Sequence, residues 1–240
     1  MLGTGMRREA LVALTSAACW AAAQVRAAPA ATEPLLYATT SQGVTVIDTS
    51  TNTVVSTIVL GPSSGLAVSP DGTLLYVGAD VDRDFMLSVV DASTSAVVAV
   101  IPMVGRVDVI RLSPDGTRGY ATNAALCRTV TECVGSSGIS VFDAETKTVL
   151  ATLQLGDPVF GGPRDIAVAP SGELVFVVEN ASRVTTIDAR TNTVISVRPH
   201  GCCLSSLTLT PDGSTAYISG AELGAGFIGI ADAITGNFLT

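Results

Sequence analysis

Few residues in this chain could do chemistry. His200 is the only histidine, so neither a Ser-His-Asp relay nor a multi-histidine metal centre can be assembled from it. Arg106 with Asp108 and Arg164 with Asp165 form two acid–base pairs, each just ahead of an apolar stretch. A guanidinium offers two parallel N–H donors to a carboxylate or a sugar, whereas an Arg/Asp pair closed on itself makes only a charged rim. His200 joins these four as a candidate ligand-binding residue; its plainer reading is an exposed loop histidine. Asp80, Asp82 and Asp84 alternate around Arg83 like the start of a calcium loop, without the downstream Glu or fixed Gly that such a loop needs. No metal and no cofactor is expected, and Asn180-Ala181-Ser182 is a glycosylation sequon.

Cysteine use depends on compartment. Residues 1–30 have a basic start at Arg7-Arg8, an apolar run over 10–23 and small residues at Ala28-Pro29-Ala30, the pattern of a signal peptide. The run is too short to span a bilayer, so an exported protein, periplasmic or extracellular, with no membrane span is expected. Export leaves Cys127, Cys133, Cys202 and Cys203, an even number that reads as disulfides with three connectivities. Cys127 with Cys133 would staple a loop; Cys202 and Cys203 would form a vicinal ring or reach a neighbouring insertion. Kept reduced, His200, Cys202 and Cys203 would instead be soft-metal ligands, but no Cys-x-x-Cys pair supports that.

The elements that must hold these residues are strands. The 240 residues are 48% hydrophobic, 14% charged and rich in Val, Ile and Thr, with 23 Gly, a mixture that favours an all-β fold with a sizeable core. A net charge of −8 with a single lysine, Lys147, excludes a phosphate-tracking nucleic-acid surface. A turn cassette recurs at Ser69-Pro70-Asp71-Gly72, Ser113-Pro114-Asp115-Gly116, Ala169-Pro170-Ser171-Gly172 and Thr210-Pro211-Asp212-Gly213. Pro sets the first turn dihedral, Asp bonds locally and Gly takes the left-handed position. After each corner comes a short aromatic strand (Leu75-Tyr76-Val77, Gly119-Tyr120-Ala121, Val175-Phe176-Val177, Ala216-Tyr217-Ile218). Next comes a strand ending in Asp (Val46-Ile47-Asp48, Val89-Val90-Asp91, Val141-Phe142-Asp143, Thr186-Ile187-Asp188, Ile230-Ala231-Asp232), then a Thr/Ser-rich turn and a fourth strand. Four strands per period of about 40 to 45 residues is the signature of a propeller blade.

This cassette resembles the YVTN family of β-propeller repeats, which includes YncE-like and surface-layer secreted proteins. Tyr120-Ala121-Thr122-Asn123 comes nearest to the naming motif, and the likeness runs from Leu35 to Thr240. It implies four-stranded antiparallel blades: an N-terminal part-blade of three strands without an innermost one, then four full blades. The chain stops within an outermost strand at Asn237-Phe238-Leu239-Thr240. The expectation is a propeller over residues 31–240 that is a partial seven-bladed ring, with a five-bladed ring as the alternative. Functional residues of such propellers lie on the loops between blades and between second and third strands. Arg106, Asp108, Arg164, Asp165, His200 and all four cysteines fall there. The implied function is a binding or scaffold protein for a protein, glycan or cell-envelope ligand; the alternative is a lactonase-like hydrolase or a subunit of a quinone-dependent dehydrogenase.

Overall fold

The computed structural model describes residues 24–26, 35–81, 84–129, 132–156, 162–180, 182–200, 203–222, 225–233, 235 and 237. They are strands, turns and connecting segments, and no helix among them is long and apolar enough to cross a membrane. The first sheet comprises β1 (Gln24–Arg26), β2 (Leu35–Thr40), β3 (Gly43–Asp48) and β4 (Thr53–Val59); the second β5 (Ser63–Val68), β6 (Leu74–Val81), β7 (Asp84–Asp91) and β8 (Val97–Pro102). In the third, β9 (Ile110–Leu112) and β10 (Arg118–Asn123) pair on with β13 (Gly138–Asp143) and β14 (Thr148–Gln154), and the chain between β10 and β13 forms a separate ribbon of β11 (Leu126–Thr129) and β12 (Glu132–Val134). The fourth holds β15 (Pro163–Val168), β16 (Leu174–Glu179), β17 (Arg183–Asp188) and β18 (Thr193–Pro199); the fifth holds β19 (Leu204–Leu209), β20 (Thr215–Glu222) and β21 (Ala225–Asp232).

One expectation is corrected, and another falls outside the described residues. The first sheet has a fourth strand after all: residues 24–26 pair antiparallel with Leu35, Leu36 and Tyr37, inside the segment assigned to the export signal. The inner edge of β2 otherwise presents unpaired backbone groups, and an extended stretch nearby satisfies them. The fifth sheet has three described strands, and residues 238–240, which would open its outermost strand, lie outside the described residues. So does most of residues 1–30.

Local chemistry sets the corners. In the second sheet Ser69 Oγ donates to Asp71 Oδ1 at 2.6 Å, the Thr73 amide donates to the same oxygen at 3.0 Å, and Gly72 takes φ 68°. The arrangement recurs around Asp115 and Asp212. Each corner stacks on the preceding one: a Cβ on Gly116 would meet the Pro70 ring at 3.1 Å, and one on Gly213 would meet the Pro170 ring at 2.8 Å. At the next turn the Asp91 carboxylate accepts bonds from Ser93 and Thr94 amides and hydroxyls, and Ser95 turns left-handed with φ 60°. Asp48, Asp143 and Asp188 repeat this.

The sheets pack face to face, and an apolar cluster lies between each successive pair. Tyr37, Val44, Val46 and Ile58 of the first meet Leu66, Leu75, Val77 and Val90 of the second. The aromatic of each second strand points at the following sheet, so Tyr76 is 1% and Tyr120 0% exposed, whereas Tyr217, on the outer face of the fifth sheet, is 41% exposed. Inner strands are tied sheet to sheet. Ser64 Oγ and the Gly65 amide both donate to the Val107 carbonyl, and a Cβ on Gly78 would come within 2.6 Å of that oxygen. Asp165, 6% exposed, accepts from Arg111 Nη2 at 3.2 Å on β9, from its neighbour Ile166 at 2.9 Å, and from Ser206 Oγ at 2.6 Å and the Leu207 amide at 3.1 Å on β19. One carboxylate thus joins three sheets. At the outer rim, β4, β8, β14 and β18 leave Val54, Val59, Val98, Leu150, Ile195 and Val197 in solvent.

Two outcomes follow. Asp165→Ala strands Arg111 and two buried donors and is expected to lower unfolding free energy by about 3 to 5 kcal/mol, read by denaturant titration; a change under about 1 kcal/mol would contradict the clamp. The Asp91 carboxyl, which accepts from the Ser93 hydroxyl, is held down from 3.8 to about 2, and Asp48, Asp143, Asp188 and Asp212 are lowered by the same kind of turn bonding. A depressed carboxyl contributes stability that is complete above its unfolded value and disappears as pH falls through its folded value. The melting temperature is therefore expected to fall between pH 3.8 and about 2, less steeply in Asp91→Asn.

Candidate functional site

The longest excursion from the repeat is the ribbon between β10 and β13. Cys127 lies opposite Cys133 on β11 and β12, and the two form a disulfide, the first of the expected pairings. The base of the ribbon is fastened to the preceding loop. The Ser136 amide donates to the Val104 carbonyl at 2.7 Å, and Arg106 and Ala124 exchange backbone bonds of 2.9 and 2.8 Å. Gly135 has φ 83°, and a Cβ there would come within 2.9 Å of the Phe85 ring. Cys203 does not pair: its thiol is free and exposed, correcting the disulfide expected for it. The ribbon cysteines face and consume one another, while Cys203 stands at the head of β19 with φ 60°, its amide bonded to Ser182 Oγ at 3.0 Å. The free Cys203 thiol leaves no vicinal ring; Cys202 itself, and Asp82 and Ala181, on which the calcium-loop and sequon readings depend, lie outside the described residues.

The two Arg/Asp pairs separate in character. Arg106 closes on Asp108, with Nη2 and Nε at 2.8 and 3.2 Å from Oδ2, and both side chains are partly in solvent. An ion pair this wet is worth little to stability. Arg164 does not pair with Asp165; it reaches across to Asn180 Oδ1 through Nε and Nη2 at 3.1 and 2.8 Å. Asp165, saturated by four donors, is a joint between sheets, and its carboxylate has no room to receive a ligand. His200 is 9% exposed rather than an open loop residue; burial foremost, and Arg198 secondarily, push its pKa below 6.5. It lines a cavity between the fourth and fifth sheets together with Arg198, and neither Arg106 nor Arg164 borders that cavity. Among the described residues, no three His, Cys, Asp or Glu side chains converge as metal ligands would.

A buried polar layer beneath the loops escaped the sequence reading. Asn123, 0% exposed, donates through Nδ2 to Ser140 Oγ at 2.9 Å. Glu179, 1% exposed, accepts from Arg183 Nε at 2.9 Å and from the Thr185 hydroxyl. Asn123 and Glu179 both stand three residues beyond the strand aromatic, at Tyr120 and Phe176, and both meet a hydroxyl on the adjacent third strand. Laying the repeats over one another would have revealed the pair.

The sequence matches no protein-family model and no curated protein. Many solved structures are similar, among them the following two. The Kuenenia stuttgartiensis hydrazine synthase matches with TM-score 0.71 and 21% identity, covering 85% of this chain and 61% of that one. The Myceliophteria thermophila Cps50 (Swd1) β-propeller domain matches with TM-score 0.65 and 16% identity, covering 84% and 63%. This chain therefore spans about six-tenths of the length of each, and what the likenesses establish is the β-propeller fold.

Replacing both ribbon cysteines by Ser is expected to free the ribbon locally at a cost of roughly 2 kcal/mol for so short a closed loop, without unfolding the sheets. Limited proteolysis should cut the variant within residues 126–134 while far-ultraviolet dichroism stays the same; an uncut ribbon would show that the disulfide does not hold it.

Proposed function

We propose that this chain is an exported β-propeller binding protein that takes a protein, glycan or cell-envelope ligand through its disulfide-stapled loop face. The carrying observation is the ribbon itself: the one large insertion in an otherwise regular repeat is closed covalently and fastened to the loop that bears Arg106. A ribbon ordered in advance loses little entropy on binding. The disulfide is compatible with an oxidising compartment, periplasmic or extracellular. Arg106 and Arg164 stand exposed, each held by a partner that a ligand carboxylate or hydroxyl can displace.

Co-sedimentation of the purified protein with isolated cell-envelope fractions tests this reading. Wild-type protein is expected to pellet, with Arg106→Ala and Arg164→Ala each reducing the bound fraction about tenfold at unchanged melting temperature. Equal pelleting of wild type and variants would count against the loop face. Lactone hydrolysis lost on Arg106→Ala would replace binding by the enzyme reading.

A further inference from the structure

The repeat serves as its own control, and the fourth sheet departs from it. Four backbone bonds mark one equivalent position: the amides of Leu60, Met103, Leu155 and His200 donate to Gln42, Phe85, Ser137 and Ser182 carbonyls. Strand register marks a second, where Val44 faces Ile58, Leu87 faces Ile101, Ile139 faces Leu153 and Val184 faces Arg198. At both positions the first three sheets carry aliphatic residues or Met that help seal the gap to the following sheet; Ile101 is 1% and Leu155 7% exposed. The fourth sheet carries Arg198 and His200 instead. A third position changes with them. Val46, Val89 and Val141, facing Ser56, Ala99 and Ala151, become Thr186 facing Ser196.

These substitutions converge. Arg198, His200, Thr186 and Ser196 line one wall of a cavity of about 120 Å³ between the fourth and fifth sheets, whose other walls include Phe176, Leu207 and Ile218. That volume exceeds the room needed for a single water severalfold. Arg198 lies exposed at the mouth and His200 is buried within. Asp232 also borders the cavity, but its carboxylate accepts the Thr235 amide and hydroxyl at 2.6 and 2.8 Å, in its own turn.

We propose that this gap is a binding site for a small carboxylate with an aromatic or aliphatic body. The carboxylate sits on the Arg198 guanidinium, where two N–H donors match its two oxygens, the imidazole and hydroxyls take further polar contacts, and the body lies against Phe176, Leu207 and Ile218. Burial holds the imidazole below its usual pKa, so the site keeps a neutral donor–acceptor beside a single cation. It is separate from the ribbon and its arginines, and stands or falls independently of the envelope-binding reading.

Benzoate is the probe. With one histidine in the chain, the imidazole carbon–proton resonances belong to His200 without ambiguity. Benzoate is expected to shift them saturably in the millimolar range, benzyl alcohol about tenfold more weakly, and Arg198→Ala to weaken benzoate about tenfold while leaving the spectrum folded. Restoring the repeat's aliphatic residues with Arg198→Ile and His200→Leu should abolish benzoate binding, followed by calorimetry, with no loss of melting temperature. No saturable shift, equal response to the alcohol, or undiminished binding in the double variant would each overturn the site.

Discussion

A carboxylate taken out of water must be surrounded by donors or the fold loses several kcal/mol. Asp165 meets that demand with donors from three successive sheets, so the inner strands of the third, fourth and fifth sheets can come together only in one register. The shared Val107 carbonyl does the same work between the second and third. With the inner edges fixed, each sheet must present one face to the next, and the apolar clusters form as a consequence. The outer strands and loops are then free to vary. It is on the loops, and on the outer half of the fourth sheet, that this chain spends its irregular residues.

Legibility in the sequence followed the range of the interaction. The corners around Asp71, Asp115 and Asp212 and the turns after Asp48, Asp91, Asp143 and Asp188 are closed by bonds spanning two to five residues, so their side chains announce them. Cys127 and Cys133, six residues apart, were legible for the same reason. Asp165 was not: its partners lie 54 and 41 residues away, and as a neighbour of Arg164 it looked like half of an ion pair. The register of β15 shifts between Pro163 and Asp165 and leaves Arg164 out of the ladder, so Arg164 reaches Asn180 while Asp165 turns inward. The fourth strand of the first sheet was hidden for a different reason, since its residues lie where composition speaks of export.

His200 shows how a repeat can both conceal and expose a residue. Read alone, between Pro199 and Gly201, it has the look of a loop histidine. Placed against Leu60, Met103 and Leu155 by the backbone bond they share, it is a polar residue where the sheet elsewhere seals itself with aliphatic or Met side chains. Arg198 gains its meaning only beside Ile58, Ile101 and Leu153. The hydroxyl layer tells the same story inside the sheets, where Asn123 and Glu179 answer each other in consecutive repeats.

The valine-lined outer rim carries a cost of another kind. Strands β4, β8 and β14 end their sheets with unpaired backbone groups and without one charged side chain, and the chain's sole lysine stands outside them. Long apolar borders of this sort are templates for strand addition between molecules, which charges and prolines ordinarily discourage. Crowding, more than heat, is then the hazard for this protein, because two correctly folded copies already possess matching seams along which cross-β association can begin.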